Sequence, residues 1–147
     1  MTSSQHDLSL KLFVVLSKAH KSIMDQAVSD MKRHGLSSTE FIILELLYAK
    51  GPSPLQQLGD KVLITSGSIT YNIDKLEKKG LLRRIPCTED RRVTFAEITE
   101  EGNRWMSEHF PKHAQALDEA MGGLTAEEKQ QTIDLLKKLG LHQSEKE

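Results

Sequence analysis

The sequence lacks the features of disulfide-linked, membrane-spanning and aromatic-rich proteins. Its single cysteine, Cys87, excludes an internal disulfide framework. No apolar run is long enough to cross a bilayer, since even the run from Phe41 to Tyr48 is interrupted by Glu45. Aromatic residues make up 5% of the chain, and most of its apolar residues are Leu, Ile, Val and Ala. This composition favours packed helices over a β-sandwich.

Motifs for catalysis and for targeting are also missing. We find no glycine-rich phosphate loop, no nucleophile elbow and no carboxylate pair with a supporting motif, so an enzyme is the least favoured class and no cofactor is expected. Residues 1–7 are polar and contain no apolar signal segment, which predicts a cytoplasmic protein with no membrane partner. Residues 1–7 and 142–147 are expected to fray.

The net charge of −1 hides an uneven distribution. Residues 60–92 carry eight cationic and five anionic side chains, a net charge of +3, whereas residues 100–147 carry six and ten, a net charge of −4. A basic segment beside an acidic remainder suits a protein that presents one face to a polyanion. Chance clustering on a solvated surface explains the charges alone nearly as well.

Apolar spacing and helix-end signals predict three helices in the first half of the chain. Leu, Ile, Ala and Met recur every three or four residues over 8–33, which predicts a long amphipathic helix ended by Gly35. The capping box Ser37–Glu40 begins a second helix, which runs to Lys50 and is stopped by Gly51. Ser53 as cap and Pro54 as first helical residue predict a short helix over 54–62.

A fourth helix and a β-hairpin follow. Thr65 or Ser66 is expected to cap a helix that runs to Lys79 and ends at Gly80. The extended segments 81–84 and 93–98, separated by a polar turn at 88–91, predict the hairpin. A short helix, a turn, a second helix and a hairpin make up the plan of a winged helix-turn-helix.

Two further helices are expected at the carboxyl end. Thr99 caps the first, which Pro111 should kink and Gly122 and Gly123 should end. The capping box 125–128 begins the second, which is expected to stop at Gly140 and to bury three apolar residues: Ile133, Leu136 and Leu139. The predicted fold is therefore mainly α with a small β-hairpin wing.

The helix over 66–79 is expected to turn its polar side to DNA. Its apolar stripe is Ile69, Ile73 and Leu76, so short hydroxyls and lysines lie opposite or beside it, where they can reach base edges and phosphates. The candidate DNA-binding residues on this helix are Ser66, Gly67, Ser68, Thr70, Tyr71, Asn72 and Lys75. Taken alone, the helix is equally well explained as an ordinary surface helix with ion pairs such as Asp74–Lys78.

The tip of the hairpin holds Asp90, Arg91 and Arg92. Two guanidinium groups at a tip suit the negative potential of a minor groove. The alternative is an exposed, salt-bridged turn that contributes little to stability. An arginine-tipped hairpin that follows a polar-faced helix favours DNA binding.

At this point the sequence resembles the MarR family of winged helix-turn-helix regulators. The resemblance rests on segments 58–61, 69–70, 74–84, 90–92 and 98–102, and it extends over almost the whole chain. It implies one domain over 1–147, with dimerisation helices at 8–35 and 100–140 and a DNA-binding lobe at 37–99. It also implies a homodimer on a pseudo-palindromic operator in double-stranded DNA, with Asp90 as wing brace and Arg92 in the minor groove. Tyr71 and Asn72 depart from the residues that are commoner in the family, which leaves the operator sequence open.

Within that family, segments 55–61, 66–71 and 87–94 look most similar to repressors of quinone and hydroquinone detoxification genes. The resemblance implies release from DNA by a small aromatic or electrophilic effector. Four residues are candidates for an effector pocket between the dimer helices and the DNA-binding lobe: Phe13, His20, Phe41 and Trp105. Each is also explained as a core residue.

Three alternatives stay open. Cys87 lies near Arg83, Arg84 and Arg91, which can lower a thiol pKa and make a redox sensor, but a small residue at a strand end is the favoured interpretation. His109 and His113, with His20 near them in the fold, have a spacing compatible with a zinc-sensing regulator, although surface or interface histidines are commoner. The third alternative is a winged-helix protein-interaction module that does not bind DNA.

Overall fold

The computed structural model describes residues 2–62 and 66–146, but not the side chains of residues 2, 3, 62, 66, 67 and 141–146. The helices are α1 (Thr2–Arg33), α2 (Ser38–Lys50), α3 (Leu55–Val62), α4 (Ser66–Lys78), α5 (Glu100–Ala120) and α6 (Ala126–Lys146). The strands are β1 (Ser53–Pro54), β2 (Leu82–Pro86) and β3 (Thr94–Ile98). The prediction of a mainly α fold with a small β wing is confirmed. None of the helices in the described part of the chain combines the length and hydropathy needed to cross a membrane.

Both terminal helices are longer than the sequence predicts. α1 begins at Thr2 instead of residue 8, and α6 continues through Gly140 to Lys146, so the predicted start at residue 8 and the predicted stop at Gly140 were wrong. Once a helix has nucleated, each added residue forms one more backbone hydrogen bond, and an internal glycine costs only about 1 kcal/mol.

The joint between α1 and α2 forms as predicted. Gly35 adopts a φ of 96°, a left-handed conformation that suits glycine. Ser37 Oγ accepts a hydrogen bond from the Glu40 amide at 3.1 Å, and the Glu40 carboxylate accepts one from the Ser37 amide at 3.0 Å. The capping box therefore fixes the first turn of α2.

The wing contains a third strand that the sequence did not indicate. β2 and β3 pair antiparallel from Leu82↔Ile98 to Pro86↔Thr94, and β1 pairs with the other edge of β3. Ser53 and Pro54 therefore lie in a strand, not at a helix start, and the Ser53 hydroxyl donates to the Gly51 carbonyl at 3.1 Å. Proline is tolerated here because β1 is an edge strand, where its missing N–H leaves no ladder bond unmade.

The core lies where α2 meets the other elements of residues 37–99, a unit we call the winged lobe. Phe41, Ile43, Leu44 and Leu47 of α2 are fully buried, together with Leu58, Ile73, Leu76, Leu82 and, from α5, Met106. α5 begins at the predicted cap, since Thr99 Oγ1 accepts a hydrogen bond from the Gly102 amide at 3.0 Å. α5 is thus attached to the winged lobe both by its cap and by its side chains.

The outer helices leave apolar side chains exposed. Ile133, Leu136 and Leu139 of α6, expected to be buried, are each about half exposed in the single chain. α1 exposes a comparable set: Leu8, Leu10, Leu12, Phe13, Val14, Val15 and Leu16. We call these two sets the outer apolar faces.

Candidate nucleic-acid interface

α4 buries its apolar stripe and exposes the residues opposite it. Ile69, Ile73 and Leu76 are buried, whereas Ser68 and Thr70 are exposed and Tyr71 is 62% exposed. The predicted cap at Thr65 lies outside the described residues, and neither the side chain of Ser66 nor the exposure of Gly67 is described.

Asn72 does not lie on the exposed side. It is only 8% exposed, and its amide nitrogen donates to the Ser68 carbonyl, one helical turn earlier, at 2.7 Å. The prediction that placed it beside the polar face was wrong, because a short amide near the edge of the apolar stripe can satisfy itself on the backbone of its own helix.

Lys75 is held on two sides. Its ammonium lies 3.7 Å from the Glu40 carboxylate of α2 and 5.3 Å from the centre of the Tyr71 ring. The second distance is within the range of a cation–π interaction. The exposed Tyr71 ring is therefore in contact with a lysine that is itself anchored to α2.

The wing tip is organised by Asp90. The Asp90 carboxylate accepts hydrogen bonds from the Arg92 amide at 3.0 Å, from Arg92 Nε at 3.1 Å and from Arg92 Nη2 at 3.3 Å. These bonds lower the pKa of Asp90. The Arg92 side chain is 90% exposed, so the brace holds a guanidinium group that projects into solvent.

α4 and the wing face the same side of the molecule. A groove of about 740 Å³ is lined by Thr70 of α4, by Arg92, Val93 and Thr94 of the wing, and by residues of α3 that include Gln56 and Gln57. The polar face of the helix and the wing tip are therefore available to one ligand at the same time.

Arg84 fastens the wing to α4. It binds Asp74 at 2.5 Å and Glu77 at 2.6 Å, and these contacts raise its pKa. Arg83 pairs across the hairpin with Glu97. Both arginines contribute to the basic charge of the sequence but are engaged within the fold, which charge counting does not reveal.

The four effector-pocket candidates do not come together in one chain. Phe41 and Trp105 are in contact, with ring centres 5.7 Å apart, and His109 stacks on Trp105 at 4.2 Å. Phe13 and His20 lie on the exposed part of α1. At a rise of about 1.5 Å per residue they lie roughly 26 and 15 Å along α1 from Asp30, which binds His113 of α5.

A chain of hydrogen bonds lies beside Phe41. The Asp30 carboxylate binds His113 Nδ1 at 2.8 Å and His34 Nε2 at 3.1 Å, and His34 Nδ1 binds His109 Nδ1 at 2.9 Å. Since an ionised carboxylate only accepts, His34 donates to Asp30 from Nε2 and His113 donates to it from Nδ1. Burial lowers the pKa of His109, which keeps it neutral.

These hydrogen bonds involve His109 and His113, the pair on which the zinc-sensing alternative rests. His20 takes no part in them and His34 does, a residue that the sequence reasoning missed although Asp30 and His34 lie four apart, as do His109 and His113. The described residues contain no group of three or more side chains able to hold a metal ion. The described part of the chain therefore offers no support for a metal-sensing regulator.

Cys87 follows β2 and is half-buried, and its amide donates to the Val93 carbonyl at 3.1 Å. The position agrees with a small residue at the end of a strand. Its role as a redox sensor stays a prediction.

Comparison with known proteins identifies the family. The MarR family model matches residues 36–94. The HTH-type transcriptional regulator MhqR of Bacillus subtilis (strain 168) is 53% identical over 134 residues, which cover 91% of this chain and 92% of the relative. The uncharacterised HTH-type transcriptional regulator YkoM of the same organism is 42% identical over 134 residues, covering 91% and 87% of the two chains.

Solved structures share the fold. AbsC, a MarR family transcriptional regulator from Streptomyces coelicolor, superposes with a TM-score of 0.82 at 22% identity and covers 94% of this chain and 95% of its own. A mutant of MarR from E. coli in complex with operator DNA gives a TM-score of 0.78 at 20% identity, with coverages of 90% and 96%. The family resemblance of the sequence is confirmed, and with it the class of regulator rather than enzyme. The chain belongs to the MarR family of transcriptional regulators.

Proposed function

We propose that the protein is a homodimeric repressor that binds a pseudo-palindromic operator. The winged lobe reads the DNA: the amino-terminal half of α4 enters the major groove, and Arg92, braced by Asp90, enters the adjacent minor groove. The observation that carries this proposal is the shared groove, in which Thr70 and Arg92 line one surface. The residues assigned to direct DNA contact are those predicted from the sequence, with two exceptions. Asn72 is buried and supports the helix, and the Lys75 ammonium is engaged by Glu40 and Tyr71.

The outer apolar faces are assigned to the dimer. α1 and α6 expose many large apolar side chains, and monomeric soluble proteins rarely leave such continuous surfaces open to water. A second copy of the chain covers them under a two-fold axis, which sets two α4 helices at the spacing of two operator half-sites. Sedimentation of the pure protein should give the mass of two chains.

Arg92→Ala tests the wing assignment. The probe is a duplex containing the DNA upstream of the protein's own gene, used in gel shifts over a series of salt concentrations. We expect a loss of about tenfold or more in affinity, since one base or groove contact per subunit is removed. Lys21→Ala removes the same charge from an exposed pair with Asp25 on α1 and should leave binding unchanged. Wild-type affinity in the Arg92 variant would overturn the assignment.

The effector is assigned to the contact between the winged lobe and α5. Phe41 and Trp105 form an aromatic wall there, and the histidines beside them supply hydrogen-bonding groups of the kind that a hydroquinone uses. Similarity to quinone-responsive repressors and the 53% identity to MhqR support an aromatic or quinone-like effector. Phe13 and His20 can contribute only from the partner subunit.

Trp105 makes this assignment testable, because it is the single tryptophan of the chain. Titration with methylhydroquinone should quench its fluorescence and release the upstream duplex in the same concentration range. Cys87→Ser separates the two sensing routes, since a non-covalent pocket keeps its response and a thiol sensor loses it. Release from DNA without any change in Trp105 emission would contradict the pocket.

A further inference from the structure

The Glu40 side chain has more partners than a helix cap requires. It is 1% exposed. One carboxylate oxygen accepts from Lys79 Nζ at 2.8 Å, and the other accepts from the Ser37 amide at 3.0 Å and lies 3.7 Å from Lys75 Nζ. Burial acts to raise the pKa of Glu40, but the hydrogen bonds from Lys79 and Ser37 outweigh it and hold the pKa below its ordinary value. The buried group is therefore a charged carboxylate.

The same chain contains a second capping box that shows what capping alone needs. At the start of α6, Glu128 accepts from the Thr125 amide at 2.9 Å, and the Thr125 hydroxyl accepts from the Glu128 amide at 3.1 Å. Glu128 is exposed. Because burying a charge is costly unless it is paired, the burial of Glu40 and its two lysine partners calls for a role beyond the cap.

Both lysine partners belong to α4 or to its carboxyl end. Lys75 and Lys79 lie four residues apart, so they share one side of the helix axis, and one carboxylate that binds both restricts rotation of α4 about that axis. Lys75 also contacts the exposed ring of Tyr71, one turn nearer the amino end. A continuous set of contacts therefore runs from the first turn of α2 to the side of α4 that is assigned to DNA.

We propose that Glu40 is a positioning residue for DNA reading, which holds α4 through Lys75 and Lys79 and thereby orients Tyr71. This inference rests on the proposed function of α4 as the reading helix. It has a second consequence, because the same contacts draw two ammonium groups away from DNA phosphates. Glu40 thus increases the preference for the operator over unrelated DNA in two ways, through orientation and through reduced non-specific attraction.

The test compares Glu40→Gln with Glu128→Gln in the full-length chain. Fluorescence anisotropy gives the affinity for the upstream duplex and for a scrambled duplex of equal length, over a salt series. Glutamine still accepts from the Ser37 amide, so the cap persists. We expect Glu40→Gln to lower the operator-to-scrambled affinity ratio about tenfold, the effect of one lost base contact. Affinity for the scrambled duplex should be unchanged or higher.

The salt dependence supplies a readout that a purely structural role would not move. Each lysine released to a phosphate should steepen the slope of log affinity against log salt by about 0.9. Glu128→Gln should alter neither the ratio nor the slope. A wild-type ratio and a wild-type slope in Glu40→Gln would overturn the proposal.

Lys79→Gln provides a second route if Glu40→Gln is too unstable to assay. Lys79 is partly exposed, and its replacement removes the charged 2.8 Å bond to Glu40, so it should lower the ratio as well. The double variant should be no worse than Glu40→Gln alone, because both changes break one contact. If the wild-type chain fails to distinguish the two duplexes, the proposed function fails and this inference with it. If the wild type discriminates and both variants do so equally, only the role of Glu40 is refuted.

Discussion

Replacing Gly102 with alanine tests how closely α5 is joined to the winged lobe. Gly102 is buried in the first turn of α5, directly after the Thr99 cap. A Cβ added there would lie 2.6 Å from Ile98 Cγ1 and 3.1 Å from the Leu81 carbonyl carbon, and closer still to the Leu81 carbonyl oxygen. Ordinary van der Waals contact begins at 3.4 Å. Because the nearest atom is the backbone carbonyl oxygen of Leu81, a change of the Ile98 rotamer cannot relieve the whole overlap.

The expected cost follows from these distances. To restore ordinary contact, Ile98 Cγ1 and the new Cβ would have to move apart by 0.8 Å, from 2.6 to 3.4 Å. The Leu81 backbone cannot move away easily, because it forms hydrogen bonds with Leu76 and Thr99. Overpacking that side chains can absorb costs about 1–3 kcal/mol, so a backbone clash should cost about 3 kcal/mol or more. For a chain of this length, about 3 kcal/mol corresponds to a fall in Tm of roughly 6–12 °C.

Thermal unfolding followed by circular dichroism measures this change. Gly123→Ala is the matched control, since it adds the same methyl group in the exposed turn between α5 and α6 with no atom within 4 Å. The backbone of Gly123 needs no left-handed conformation, so the control should raise Tm slightly or leave it unchanged. A Gly102→Ala protein that melts within about 2 °C of the wild type would refute the close junction.

Two predictions concern carboxylates near His113: Glu45, which is partly buried, and Asp30, which is buried. Burial raises the pKa of Glu45, against a smaller opposing effect of His113. The ionised group therefore costs stability at neutral pH, and Glu45→Gln should have the higher urea midpoint at pH 7. That advantage should vanish below pH 4.5, the ordinary pKa of glutamate. A lower urea midpoint for Glu45→Gln than for the wild type at pH 7 would contradict the raised pKa. For Asp30, burial acts to raise the pKa, but hydrogen bonds from His113 and His34 lower it overall. The stabilising effect of ionised Asp30 is complete above pH 3.8, its ordinary pKa, and is lost as the pH falls through the lowered pKa. The pKa of His109 is lowered too, so the protein already begins to lose stability when the pH falls below 6.5, the ordinary pKa of histidine. The urea midpoint of the wild type should therefore fall as the pH is lowered from 6.5. Asp30→Asn should flatten only the part of this fall that lies below pH 3.8. If the midpoints of the two proteins fall in parallel below pH 3.8, Asp30 is not the cause of the fall.

Local signals in the sequence predicted the helix starts at Ser37, Thr99 and Thr125 correctly. Each depends on a side chain that bonds to a backbone amide three residues away, so the whole signal lies within four consecutive residues. Ser53 carried the same kind of signal and was wrong. There, pairing of Ser53 and Pro54 with β3 replaced the cap, and the partner strand lies more than 40 residues further along the chain.

The candidate site divides in the same way. Helical periodicity placed Tyr71 on the exposed side of α4 and Ile73 in the core, and hairpin spacing placed Arg92 at the tip. Periodicity does not distinguish the edge of a stripe from its flank, which is why Asn72 was misplaced. Neither periodicity nor a count of charges shows which basic side chains pair within the fold. Arg84 was therefore counted as part of the basic surface, although it forms ion pairs with Asp74 and Glu77.

The first turn of α2 has a significance that neither residue pattern nor charge count could reveal. Glu40 and Phe41 are neighbours in the chain, yet they serve different parts of the molecule. Glu40 binds two lysines of α4 and its carboxyl end. The centre of the Phe41 ring lies 4.6 Å from the centre of the His113 ring and 5.7 Å from that of Trp105. Because a helical turn is rigid, a ligand that displaced the Phe41 ring would act on the turn that positions α4. Under the proposed function as a dimeric repressor, a rotation of each reading helix within its own lobe would release DNA without a change in the spacing of the two subunits.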